Sequence, residues 1–136
     1  MRGGRERGDA REIMRRFGIR AASQAQALAS LSGGNQQKVM LGRWLHRQPR
    51  LLLLEEPTHG VDVGARAEIY ELIRSAARQG SAVVLVTVDF EEMEGLCDRV
   101  LVLNEGAIVA DLRAPDFDHR TLTELAFGRP KEGSAP

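Results

Sequence analysis

The amino-acid sequence predicts an α/β fold with a parallel β-sheet. Two short apolar runs, residues 51–54 and 82–88, are typical of strands that a parallel sheet buries on both faces. Between them, residues 63–79 repeat apolar side chains at helical spacing, and Gly80 supplies a stop signal. Strand, helix and strand in this order indicate a βαβ unit, in which functional residues collect at the carboxyl ends of the strands.

The remaining elements are predicted from cap residues, glycine turns and prolines. Further helices are expected over residues 9–17, 32–47, 90–96 and 118–127, and further strands over 100–103 and 107–112. These elements make up one domain over residues 9–127. We expect a flexible Arg/Gly-rich tail over 1–8 and a second flexible tail over 128–136.

Composition narrows the class of protein. The chain has 136 residues, of which 43% are hydrophobic, and 19 basic residues balance 19 acidic ones. This is enough for one core, and the lack of a basic excess argues against nucleic-acid binding. Cys97 is the only cysteine, so no disulfide is expected. We expect its thiol to be buried and unreactive. No apolar run approaches the ~20 residues that span a bilayer, which favours a cytoplasmic chain.

Residues 31–37, with the sequence LSGGNQQ, open the second predicted helix. Gly33 and Gly34 allow a backbone to approach a ligand closely, and the free N–H groups at a helix start form an anion site. Ser32 adds a hydroxyl donor. The alternative is an ordinary helix that Ser32 caps after a glycine turn.

Two carboxylates, Glu55 and Glu56, follow the first predicted strand. Adjacent residues of a strand point to opposite faces, so the two carboxylates are expected to have different tasks. One can hold a hydrated Mg²⁺ while the other addresses a water, and the alternative is two exposed acids after a strand. Residues 60–64, GVDVG, indicate by themselves only a turn in which Asp62 or a neighbour caps the next helix.

In this order and spacing, the three segments resemble those of the ATP-binding-cassette (ABC) ATPases. LSGGNQQ is similar to the family's signature motif in the form typical of ribose- and galactose-type sugar importers. LLLLEEPT, over residues 51–58, is similar to Walker B, and GVDVG to the D-loop region. The resemblance covers about residues 9–112 and is strongest to the second of two cassettes fused in one importer polypeptide.

The resemblance implies a cassette that works face to face with a partner cassette. Four signature residues would contact the γ-phosphate of an ATP held by the partner, namely Ser32, Gly33, Gly34 and Gln36. Glu56 would be the general base that activates water, Glu55 would lie near Mg²⁺, and Asp62 would lie across the cassette interface.

The chain departs from the family pattern on its own Walker B side. It contains no G-x-x-x-x-G-K-[ST] loop to cradle phosphates and no Q-loop region before the signature. Glu55 stands where the family has an Asp, and Val88 stands at the switch position. We therefore expect an incomplete P-loop NTPase fold that lacks the Walker A strand and loop, and no ATP hydrolysis by the chain alone.

The sequence thus favours a partial ATP-binding subunit of an ABC-type carbohydrate importer that supplies its signature motif to a partner cassette. ATP and Mg²⁺ would occupy the composite site, transmembrane permease subunits would be further partners, and the chain would lie at the inner face of the cell membrane. Neither a metal site of its own nor a nucleic-acid partner is expected. The alternative is a non-catalytic truncated remnant or an interaction module of an ABC ATPase.

Overall fold

The computed structural model describes residues 2–128 and divides the chain into two compact units, with the boundary between Val86 and Thr87. The first unit contains helices α1 (Arg2–Arg16), α2 (Gly33–Leu45) and α3 (Val63–Arg78) and strands β1 (Leu51–Glu55) and β2 (Ala82–Val86). The second contains α4 (Phe90–Leu96), β3 (Arg99–Asn104), β4 (Ala107–Arg113) and α5 (His119–Phe127). The domain predicted over 9–127 spans both units, and residues 129–136 of the predicted tail lie outside the described residues.

The predicted parallel sheet is confirmed, with β1 paired to β2 in the register Leu52↔Val83. β2 ends at Val86, two residues before the predicted end. The chain leaves the strand there because the Thr87 hydroxyl oxygen accepts a hydrogen bond from Asp89 N, and Asp89 caps α4. The carboxyl ends of both strands therefore lead directly into turns.

The strands are covered on one face only. Leu52 is buried, whereas Leu53 is 68% exposed and Val86 is 61% exposed. The prediction that both faces are buried is wrong for the described residues, because no element of the first unit covers this side. We call this surface the open sheet face, and its apolar residues are Leu51, Leu53, Val84 and Val86.

Helix α1 begins at Arg2, inside the segment predicted as a flexible tail, and not near Asp9. Arg and Glu favour the helix here while Gly3, Gly4 and Gly8 disfavour it. A helix that is already formed needs no new nucleation to extend, which is the term that favours the earlier turns. The helix ends at Arg16, and Gly18 follows with φ +60°, the left-handed conformation that glycine adopts most readily.

Each unit has its own apolar core. In the first unit the core consists of Phe17, Ile19, Leu41, Leu45, Leu52, Val61, Ile69, Ile73 and Ala76. In the second unit β3 and β4 form the predicted hairpin, and the core there consists of Val100, Val102, Phe117 and Leu122. None of the helices within residues 2–128 is long and apolar enough to cross a membrane.

Candidate functional site

Residues 31–37 and 60–64 pack against each other in the first unit, which brings two of the three sequence motifs together. The contact is closest at Gly34, where an added Cβ would lie 2.5 Å from the Cβ of Ala65. An added Cβ at Gly33 would lie 3.4 Å from the carbonyl oxygen of Gly60. Gly34 is therefore required for helix packing, whereas the exposed Gly33 leaves its backbone accessible to a ligand.

The first turn of α2 has no side-chain cap. Ser32 occupies the cap position, but its hydroxyl forms no capping hydrogen bond. At the same position of α3, α4 and α5 an aspartate accepts a backbone N–H hydrogen bond in each case. The alternative that Ser32 simply caps the helix is therefore wrong, and the N–H groups of the first turn remain available to an anion.

Ser32 is held by Asn35, a residue that the sequence interpretation did not select. Asn35 Nδ2 donates to Ser32 Oγ at 2.9 Å, and Asn35 Oδ1 accepts from the backbone N of Arg20 at 2.8 Å. The available sequence signal was an amide side chain three residues after a helix-start serine, the spacing at which a side chain reaches back to the cap. Ser32 is consequently an exposed hydroxyl with a fixed oxygen.

Gln36 and Asp62 are both engaged within the chain. Gln36 Nε2 donates to the carbonyl oxygen of Leu31 at 2.8 Å. A contact from this nitrogen to a γ-phosphate would require the Leu31 bond to break, and that contact stays a prediction. Asp62 Oδ1 accepts from Ala65 N at 3.0 Å, which confirms the predicted cap, while its place in a cassette interface stays a prediction.

A buried lysine attaches α2 to α3 and to the turn that follows α1. Lys38 is 3% exposed, and its Nζ donates to the carbonyl oxygen of Gly18 at 3.1 Å and to the Glu68 carboxylate on α3. The hydrogen bond from Lys38, followed by its charge, holds the pKa of Glu68 below its usual range. This ion pair keeps residues 31–37 in place beside residues 60–64.

The carboxylates after β1 differ in their backbone environment. Glu55 is the exposed last residue of β1, opposite Val86. Glu56 is already outside the strand, since its φ is +44°, its N–H donates to Val86 O at 2.8 Å and its carbonyl accepts from His59 N. Strand alternation, the basis of the predicted opposite faces, therefore does not apply to Glu56. A left-handed non-glycine residue costs about 1–2 kcal/mol and is found where its surroundings or a function hold it.

Neither carboxylate belongs to a cluster of metal ligands in the described part of the chain. Residues 2–128 contain no group of three or more His, Cys, Asp and Glu side chains that could hold a metal ion. Glu55 fits Mg²⁺ as a single carboxylate ligand, because Mg²⁺ at nucleotide sites takes its other oxygens from water and phosphates. Its predicted place near Mg²⁺ therefore depends on a bound nucleotide.

Residues 4–59 match the family model of the ABC transporters. Over 129 residues the chain is 46% identical to an arabinose import ATP-binding protein of Pseudomonas syringae pv. tomato, an alignment that covers 95% of this chain and 25% of that protein. It is 47% identical over 121 residues to a ribose import ATP-binding protein of Mesorhizobium japonicum, an alignment that covers 89% of this chain and 24% of that protein. The chain spans about a quarter of the length of these curated relatives.

Solved structures share the fold. The dimeric structure of MJ0796, a bacterial ABC transporter cassette, matches with a TM-score of 0.70 and 26% identity over 86% of this chain and 50% of that one. A post-hydrolysis dimer of the same cassette, bound to ADP and Pi, matches with a TM-score of 0.71 at the same identity and coverage. The predicted incomplete P-loop NTPase fold is confirmed.

Proposed function

We propose that this chain, which is a portion of an ABC transporter ATP-binding domain, serves a carbohydrate importer by completing the ATP site of a partner cassette. The observation that carries the proposal is the exposed, uncapped start of α2, where the Ser32 hydroxyl is exposed and Gly33 lies beside Gly60. The names of relatives that import arabinose and ribose support the carbohydrate class, and the dimeric cassette structure supports pairing.

In this role the start of α2 receives the terminal phosphate of an ATP that the partner holds. The N–H groups of the first turn and the Ser32 hydroxyl donate to the phosphate oxygens, and the aligned peptide dipoles of the helix add a partial positive charge. Mg²⁺ bound with the nucleotide neutralises part of the phosphate charge. Because these donors are held in place before the reaction, they stabilise the charge that develops on the transferring phosphate.

Glu56 is the proposed general base of a second ATP site. It lies in the turn after β1, and Glu55 precedes it at the strand end, where the proposed contact with Mg²⁺ is made. These 136 residues contain no G-x-x-x-x-G-K-[ST] loop, so the phosphates of that site have to be held by other residues. The chain by itself is therefore not expected to hydrolyse ATP.

The proposal includes transmembrane permease subunits as partners and the inner face of the cell membrane as the location. Import of a sugar requires a path through the membrane, and no helix within residues 2–128 could provide it. The names of the import ATP-binding relatives support this assignment.

The test is an ATPase assay in which the chain is titrated into the arabinose import ATP-binding protein of Pseudomonas syringae pv. tomato. We expect the chain to stimulate ATP turnover and Ser32→Ala to reduce the stimulated rate by about 100-fold, the usual cost of one preorganised donor. Ser23→Ala changes an exposed serine outside the site and should keep full stimulation. Equal stimulation by Ser32→Ala, or tight Mg-ATP binding by the chain alone in calorimetry, would contradict the proposal.

The second candidate is an interaction module without a catalytic role, and the open sheet face favours it. Leu53 and Val86 leave apolar surface exposed beside unpaired strand edges, a combination that promotes pairing with another chain. In the same titration, this candidate predicts that the chain co-elutes with the relative in size-exclusion chromatography but leaves ATP turnover unchanged.

A further inference from the structure

We infer that Asn35 is a positioning residue that directs the hydroxyl proton of Ser32 toward the bound phosphate. The inference rests on the proposed role of Ser32 as a donor to a partner's ATP. It concerns which partner donates in the hydrogen bond between Asn35 and Ser32. The contacts that the Asn35 amide makes with Arg20 and with Ser32 determine this direction.

The orientation of the Asn35 amide follows from its contact with Arg20. The backbone N–H of Arg20 can only donate, so the Asn35 atom at 2.8 Å from it has to be the acceptor Oδ1. The other end of the amide is then the NH₂ group, which lies 2.9 Å from Ser32 Oγ. An amide NH₂ only donates, and Ser32 Oγ is therefore the acceptor in this bond.

The consequence concerns the proton of Ser32. A hydroxyl that accepts from Asn35 cannot also donate to it, so its own proton is directed elsewhere. Ser32 forms no capping bond and its side chain is exposed, which leaves that proton free to donate to an incoming oxygen. A hydroxyl that accepts a hydrogen bond is also polarised into a stronger donor.

An alternative role for Asn35 is structural, since it also attaches the Arg20 segment to α2. Asn35→Asp separates the two roles, because a carboxylate has nearly the shape of the amide and still accepts from Arg20 N. Toward Ser32, however, the carboxylate can only accept. The Ser32 hydroxyl would turn to donate to this carboxylate, and its proton would then no longer be available to donate to the phosphate.

The experiment is a double-mutant cycle on the full chain, measured as stimulated ATP turnover of the Pseudomonas syringae relative. We expect Asn35→Asp to lower stimulation by about 10-fold when Ser32 is present and by less than about 2-fold in the Ser32→Ala background, since residues that act through one another are non-additive. The added negative charge alone would lower turnover equally in both backgrounds. Equal losses in both backgrounds, or no loss with Ser32 present, would overturn the role of Asn35.

The free chain provides a second readout without nucleotide. In ¹H–¹⁵N spectra, Ser32→Ala should shift the Asn35 side-chain NH₂ signals, and Asn35→Asp should leave the Arg20 amide protected from hydrogen exchange. Unshifted NH₂ signals would refute the bond on which the inference depends. If Ser32→Ala does not change stimulation at all, the proposed function fails, whereas additive losses with an active Ser32 refute Asn35 positioning alone.

Discussion

Gly34→Ala should destabilise the first unit, because α2 and α3 leave no room for a methyl group at this position. The new Cβ would lie 2.5 Å from the Cβ of Ala65, whereas ordinary contact begins at 3.4 Å, so the helices would have to separate by about 0.9 Å. Overpacking of this kind costs about 1–3 kcal/mol. Replacing glycine by alanine stabilises a helix by at most about 1 kcal/mol through its higher helix propensity, and by less in a first turn. We expect a net loss of about 1–2 kcal/mol in the free energy of unfolding.

Urea unfolding followed by circular dichroism measures this loss. Gly33→Ala is the matched control, since its Cβ would meet only the Gly60 carbonyl at 3.4 Å, and it should change the free energy by no more than about 0.5 kcal/mol. Ala65→Gly in the Gly34→Ala background removes the colliding methyl and should recover part of the loss. A Gly34→Ala chain as stable as the Gly33→Ala chain would refute the packing argument.

Two further predictions concern titratable groups. The pKa of Glu68 is depressed by Lys38, so the stabilisation is present above the ordinary value of 4.5 and is lost as pH falls through the lower pKa of the folded chain. Glu68→Gln should therefore reduce the acid-induced fall in the urea midpoint between about pH 5 and pH 3. Glu12→Gln, an exposed control on α1, should leave that fall unchanged. If the urea midpoint of the Glu68→Gln chain falls with pH as steeply as that of the unsubstituted chain, the effect is excluded. Burial, followed by the charges of Glu92 and Asp98, raises the pKa of the Cys97 thiol. At pH 7.5 Cys97 should react with a thiol reagent at least about 10-fold more slowly in the folded chain than in urea, and similar rates would contradict this.

Local signals in the sequence were sufficient to predict most of the elements. β1, α3 and α4 begin where the pattern indicated, and the aspartates before α3 and α5 cap those helices. Caps and turns depend on residues at most four positions apart, so they can be recognised without knowledge of the fold. The motifs of the candidate site were likewise visible, because their glycines, serine and carboxylates are close together in the chain.

The tertiary structure decided what these motifs contact. Gly34 is required because Ala65 crosses it, and Asn35 positions Ser32 because Arg20 lies at its other end. These partners are far apart in sequence, and no local pattern specifies their separation. The same limit applies to burial. An apolar run indicates that a strand can be covered, but only the packing of distant elements decides which of its faces is covered, and the open sheet face has no covering element within the first unit.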